Sequence, residues 1–201
     1  MDRILKSISF IFHPLIMPLL GVLFYFSKSP RFIPYDIIQA KIISIFILTI
    51  ILPVLLFFLL KTLGKANSIY LENTQERIYP LILNCVVILI VLQRILSPSQ
   101  LIELYYFFVG ILISSMTCLI LAIFNFKASI HMISVSGVFM FFINLSIHFS
   151  INIMGTLALM SILTGAIATS RLHMKAHSYK ELIFGVLIGL IPQLLLVRYW
   201  L

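Results

Sequence analysis

The sequence predicts an all-α protein, a polytopic bundle of about seven membrane-spanning helices. Three observations predict it. Of the 201 residues, 62% are hydrophobic and only 10% are charged, against about a quarter charged in soluble chains. The mean hydropathy is +1.17. The apolar residues also gather into stretches of about 18–25, long enough to cross a hydrocarbon layer about 30 Å thick.

The spans fall at about 8–27, 37–60, 78–96, 101–124, 130–149, 151–170 and 181–200. The first follows Arg3 and Lys6, as the core of a signal peptide would. Pro14 and Pro18 interrupt it, no small-residue cleavage pattern follows and the apolar run is long, so it reads as a retained span. The second holds Pro53, which lacks a backbone donor and predicts a kink. Then comes the longest polar stretch, 61–77, with Lys61, Lys65, Asn67, Glu72, Asn73, Gln75, Glu76 and Arg77; it suits a loop or short helix at the headgroups. Ser97-Pro98-Ser99-Gln100 is a tight turn between the third and fourth spans. The fifth and sixth are joined by barely a turn near Ser150. The seventh carries Gly185 and Gly189 on one face, which lets helices pack closely. Asn84, Asn144 and Gln193 are scattered through the spans, which suits helix contacts better than a transport path. Cys85 and Cys118 sit in apolar segments as packing thiols. No linker or repeat divides the chain, so 1–201 reads as one domain.

The net charge is +8. Its basic residues are few and lie between apolar spans. That pattern fits orientation, membrane lipids with anionic headgroups and a phosphate-bearing ligand, and argues against nucleic acid. Parity then sorts them. The loops after the second, fourth and sixth spans share one side with the N-terminus, and with adjoining helix ends they hold Arg77, Lys127, His131, Arg171, His173, Lys175, His177 and Glu181. The groups able to do chemistry therefore converge on one face.

Their chemistry is that of phosphoryl transfer. A histidine that attacks phosphorus needs one bare ring nitrogen and an acceptor on the other. His177 and Glu181 are four apart and meet on one helical face, so Glu181 orients the imidazole and stabilises its developing charge. His131, from another loop, is the candidate acid for the leaving oxygen. Arg77 and Arg171 match the equatorial phosphoryl oxygens, and Lys127 and Ser129 add a point charge and a hydroxyl. Arg77 and Lys127 also fit as headgroup anchors. His173 and Lys175 fit headgroup contacts, and His13 and His148 fit structural roles. His173 and His177 lack further ligands nearby, so no metal site is expected.

From about Glu76 to Gly189 the chain resembles the type 2 phosphatidic acid phosphatase superfamily, membrane lipid phosphatases related to vanadium haloperoxidases. The family's third motif, S-R-x-x-x-x-x-H-x-x-x-D, is matched by Ser170, Arg171 and His177, with Glu181 in place of the aspartate. Its second, P-S-G-H, appears as Ala128-Ser129-Ile130-His131, and its first is reduced to Arg77-Ile78-Tyr79-Pro80, without the family's lysine. The resemblance implies a metal-independent, cofactor-free phosphatase in which His177 becomes a phosphohistidine and His131 donates the proton. Arg171 then binds phosphate, and Ser170 belongs to the same cradle. It implies a phosphorylated lipid as substrate, such as phosphatidate, phosphatidylglycerol phosphate or a polyprenyl diphosphate. A non-catalytic relative that binds or moves anionic lipid is the alternative. The resemblance also points to a bacterial cell (inner) membrane with the site on its periplasmic side. Basic residues number nine on the motif side and five opposite out of 14, which by the positive-inside rule points to the cytoplasm. Removing the five in or near the motifs leaves four against five.

Overall fold

The computed structural model describes residues 2–64 and 74–201. Among them all regular structure is helical, and seven helices are long and apolar enough to cross a membrane: Ser7–Lys28, Tyr35–Thr62, Thr74–Ile95, Ile102–Ile123, Ile130–His148, Met154–His173 and Tyr179–Tyr199. The molecule is an all-α bundle of membrane-spanning helices.

The first segment is broken near its start. Helix α1, Asp2–Ile11, ends before an extended His13, and a 3-10 turn, Pro14–Ile16, leads into α2, Met17–Lys28. The cause is local, because a residue before proline is pushed out of the helical region. The second span is α3, Tyr35–Phe46, a π turn at Ile47–Ile51, and α4, Leu52–Thr62. Just before Pro53, where a kink is expected, the helix widens into the π turn. The Leu52 N–H reaches back to Ile47, and the wider turn gives the proline ring room against the preceding carbonyls.

The third span, α5 at Thr74–Ile90 with a π turn at Val91–Ile95, is already helical at Thr74, four residues before the expected 78, and so holds Arg77. Lys65, Asn67, Glu72 and Asn73 of the expected headgroup stretch lie outside the described residues. The remaining helices are α6, Ile102–Ile123; α7, Ile130–His148; α8, Met154–His173; and α9, Tyr179–Leu196. Helix α8 runs past the expected 170 and keeps Ser170, Arg171 and His173 in its last turn.

Helices α6, α7 and α8 end alike. Asn125, Ser150 and Lys175 take φ of 60°, 53° and 52°. The amide one residue on returns to the third carbonyl from each helix end: Phe126 to Leu121 at 2.8 Å, Ile151 to Ser146 at 3.1 Å and Ala176 to Arg171 at 3.1 Å. Each is a left-handed cap that satisfies terminal carbonyls and reverses the chain sharply.

Helix α7 is the central post and packs on α9, α8, α2 and α6. Its approach to α9 depends on glycine: a β-carbon on Gly185 would lie 2.8 Å from the Ser129 carbonyl, and one on Gly189 would run into Ile133 and Ser136. Polar side chains stitch the helices together, as expected for Asn84, Asn144 and Gln193. The Asn144 amide donates to the Gln193 carbonyl at 3.1 Å, Gln193 donates to the Phe107 carbonyl at 2.9 Å and Asn84 donates to Ser115 at 3.0 Å. Cys118 is buried and Cys85 half-buried, both as free thiols.

At the end of the bundle away from the sequence motifs, Glu103 is 0% exposed. It accepts from Arg31 Nη2 at 2.6 Å and Nε at 3.0 Å, and from the Tyr25 hydroxyl at 3.1 Å. His148 Nε2 lies 3.2 Å away and its ring meets Trp200 edge-on. His148, expected to be structural, is therefore part of a buried ionic knot, and Glu103 is its centre.

Candidate functional site

The motif residues meet at the opposite end. The left-handed turn at Lys175 swings the chain from α8 back into α9 and delivers His177, whose side chain is buried. Ser178 caps α9: its Oγ accepts from the Glu181 amide at 3.4 Å, and Glu181 Oε2 accepts from the Ser178 amide at 3.0 Å. This reciprocal box fixes the Glu181 side chain. The same Oε2 lies 2.9 Å from His177 Nδ1. A carboxylate can only accept, so Nδ1 carries the hydrogen and Nε2 is left with the lone pair.

The other elements close around this pair. The Ser129 amide donates to the Glu181 carbonyl at 3.2 Å, joining the start of α7 to that of α9. Arg77, buried at the head of α5, donates from Nη1 to the Ala128 carbonyl at 3.1 Å. Arg171 is buried in the last turn of α8. Arg77 and Arg171 are both close enough to His177 to act on it electrostatically, and His131 is close to Arg171 and His177. Burial, helped by the two guanidinium groups and opposed by the bond to Glu181, lowers the His177 pKa to about 4. At neutral pH the imidazole is uncharged.

Of the residues singled out in the sequence, His177, Glu181, His131, Arg77, Arg171 and Ser129 belong to this cluster. Ser129 Oγ is fully buried without a hydrogen-bond partner. Lys127 is half-buried in the turn between α6 and α7. Ser170 is fully buried but turned toward α1, where its hydroxyl donates to the Leu5 carbonyl at 2.6 Å and meets Ser9 Oγ at 2.7 Å. His173 and Lys175 are exposed on the outside of the turn.

Two members were not assigned to the site from the sequence: His13, read as structural, and Ser9. His131 Nε2 lies 3.1 Å from the Ser9 carbonyl, and the His13 ring meets the His131 ring edge-on at 5.7 Å. His13 left a signal, being an ionisable residue in an apolar span on the side that parity assigns to the motifs. Ser9 left none, since its contact with His131 is made by backbone.

The arrangement presents a buried neutral imidazole with an oriented lone pair, with a second imidazole and two guanidinium groups within electrostatic reach of it. It can bind a compact oxyanion and attack it. No protein-family profile, curated protein or solved structure matches the chain.

Proposed function

We propose that the protein is a metal-independent phosphatase acting on a phosphorylated lipid headgroup through a phosphohistidine at His177. The observation that carries this reading is the Glu181–His177 bond of 2.9 Å, which leaves the Nε2 lone pair free of Glu181 and within electrostatic reach of Arg77 and Arg171. The motif resemblance around Ser170, Arg171, His177 and His131 supports it. The seven apolar helices support a lipid as the carrier of the phosphate.

In the first step the Nε2 lone pair attacks phosphorus and the bond from phosphorus to the leaving oxygen breaks. Glu181 stabilises the positive charge that the ring acquires, as a fixed carboxylate does for other nucleophilic or basic histidines. Arg77 and Arg171 hold the equatorial oxygens. The negative charge of the bound phosphate favours the imidazolium form of His131. That ring gives its Nε2 proton to the departing oxygen and becomes neutral. In the second step neutral His131 takes a proton from water, the hydroxyl oxygen bonds to phosphorus and the P–N bond returns its electrons to His177. The resemblance points to the periplasmic face of a bacterial cell membrane, while the raw count of basic residues points to the cytoplasmic face.

The test is phosphate release by purified protein in mild detergent with a chelator present, across phosphatidate, phosphatidylglycerol phosphate and a polyprenyl diphosphate. Wild type is expected to release phosphate and to yield an acid-labile phosphohistidine on rapid quenching. His177→Ala is expected to do neither, with turnover reduced by about 10³-fold or more. Wild-type turnover in His177→Ala would refute the mechanism. Binding of lipid phosphate without turnover would instead mark a non-catalytic binder of anionic lipids.

A further inference from the structure

The N-terminal helix takes no part in the mechanism above, yet it reaches into the site. Three hydrogen bonds tie it there, and their directions are fixed by the groups that can only accept. The Leu5 carbonyl accepts from Ser170 at 2.6 Å. Ser170 has thereby used its hydrogen, so the Ser9 hydroxyl donates to Ser170 at 2.7 Å. The Ser9 carbonyl is likewise an acceptor, so the His131 Nε2 at 3.1 Å carries a hydrogen toward it. That hydrogen is the one the leaving oxygen needs.

We propose that α1 is a latch on the leaving-group side of the site. The Ser9 carbonyl occupies the position on His131 that the substrate's leaving oxygen must take, and substrate engages the acid when α1 lifts from α8. The proposal rests on the phosphatase reading for the role of His131, and on geometry for the rest.

The segment is built to move separately from the bundle. The extended His13 and the 3-10 turn at Pro14–Ile16 interrupt the helix directly after α1, so α1 can swing without unwinding α2. Its inner edge is closed, with Ser9 only 6% exposed, while Phe10 and Ile11 on the outside are 80% and 58% exposed. An amphipathic helix so placed lies where lipid can compete for it. Phe12, at the hinge, also lines an apolar groove of about 460 Å³ between α2, α7 and α8, with Leu20, Phe24, Phe142 and Met160.

Two experiments test the latch, both in a chain carrying Cys85→Ala and Cys118→Ala. The first adds Ser9→Cys and Ser170→Cys, whose hydroxyls at 2.7 Å mark side chains within disulfide reach. Binding of short-chain phosphatidate is followed by calorimetry and its hydrolysis by phosphate release. Oxidation is expected to abolish both relative to the same chain in its reduced state. Equal binding and hydrolysis in the two redox states overturns the latch. Binding that depends on reduction while no state releases phosphate supports the latch and refutes the phosphatase reading. The second uses Ser9→Cys alone and measures the rate at which a maleimide labels it. Phosphatidate is expected to speed labelling about three- to tenfold, the scale set by losing one such hydrogen bond, and diacylglycerol to leave it unchanged. A rate indifferent to phosphatidate overturns the latch whatever happens to turnover.

Discussion

Glu181 Oε2 serves two neighbours, the Ser178 amide and the His177 ring. The extra methylene of glutamate, where the resembled motif has aspartate, is taken up as the side chain curls back over its own helix start. The two duties can be separated by substitution. Glu181→Gln keeps a residue able to complete the capping box but removes the charge that stabilises the developing imidazolium. It is expected to lower kcat by about 10²-fold or more with little change in melting temperature. Glu181→Ala removes the cap as well, and a further loss of about 1 kcal/mol should appear in a detergent melt. The pH profile belongs to the same pair. His177 is held near 4, below the ordinary 6.5, so between those values the unfolded chain binds more protons than the folded one. Stability from this group is full above about 6.5 and is lost as pH falls toward 4. The acid limb of kcat/KM should follow the folded value, well below 6.5. In Glu181→Gln the limb should move to still lower pH, because the contact that raises the His177 pKa is gone. A limb at an unshifted 6.5 would mean that the titrating group is not the buried His177.

At the scale of the element, the start of α9 is placed by what it lacks. Gly185 lies over the Ser129 carbonyl, and the Ser129 amide meets the Glu181 carbonyl, so any side chain at 185 separates the two helix starts that carry the site. Gly185→Ala is expected to cost about 1–3 kcal/mol and to reduce turnover more than it reduces the folded fraction, read by activity against thermal stability. Gly155, with open space where its β-carbon would be, is the control that should tolerate alanine. The seven helices were legible because each is a long apolar run bounded by polar turns. Their ends were less so. The sequence shows where apolar character stops, whereas helices α5 and α8 continue into polar residues such as Arg77 and Arg171 that find buried partners or positions there. The π turn before Pro53 was also hidden, because a proline announces a lost donor but not how the neighbouring backbone will adjust.

At the scale of the whole molecule, parity alone brought Arg77, His131, Arg171 and His177 to one end, since an even number of spans separates their loops. Periodicity and parity identify elements and faces, but not which side chains meet across them. Ser9 and Ser170 touch across 161 residues, and Glu103 gathers Arg31, Tyr25 and His148 from three other segments. Neither meeting leaves a trace in local pattern. The second yields a prediction for the fold alone. Glu103→Ala leaves Arg31 and His148 without their carboxylate. It should cost about 2–3 kcal/mol, less than the roughly 3–5 kcal/mol for breaking a fully buried pair because Arg31 is half open to solvent. The melting temperature should fall while the folded protein keeps its kcat.

That knot lies at the end of the bundle away from the site, and the difference between the two ends has a practical meaning. The motif end carries costly features of its own: a bare hydroxyl at Ser129 and an uncharged buried histidine. The other end carries a saturated carboxylate. On the proposed function, cohesion and chemistry are housed in different places, so residues around His177 can be exchanged to seek other phosphorylated substrates with the anchorage of the helices left untouched. Strengthening the Glu103 end beforehand should widen the range of such exchanges that still fold.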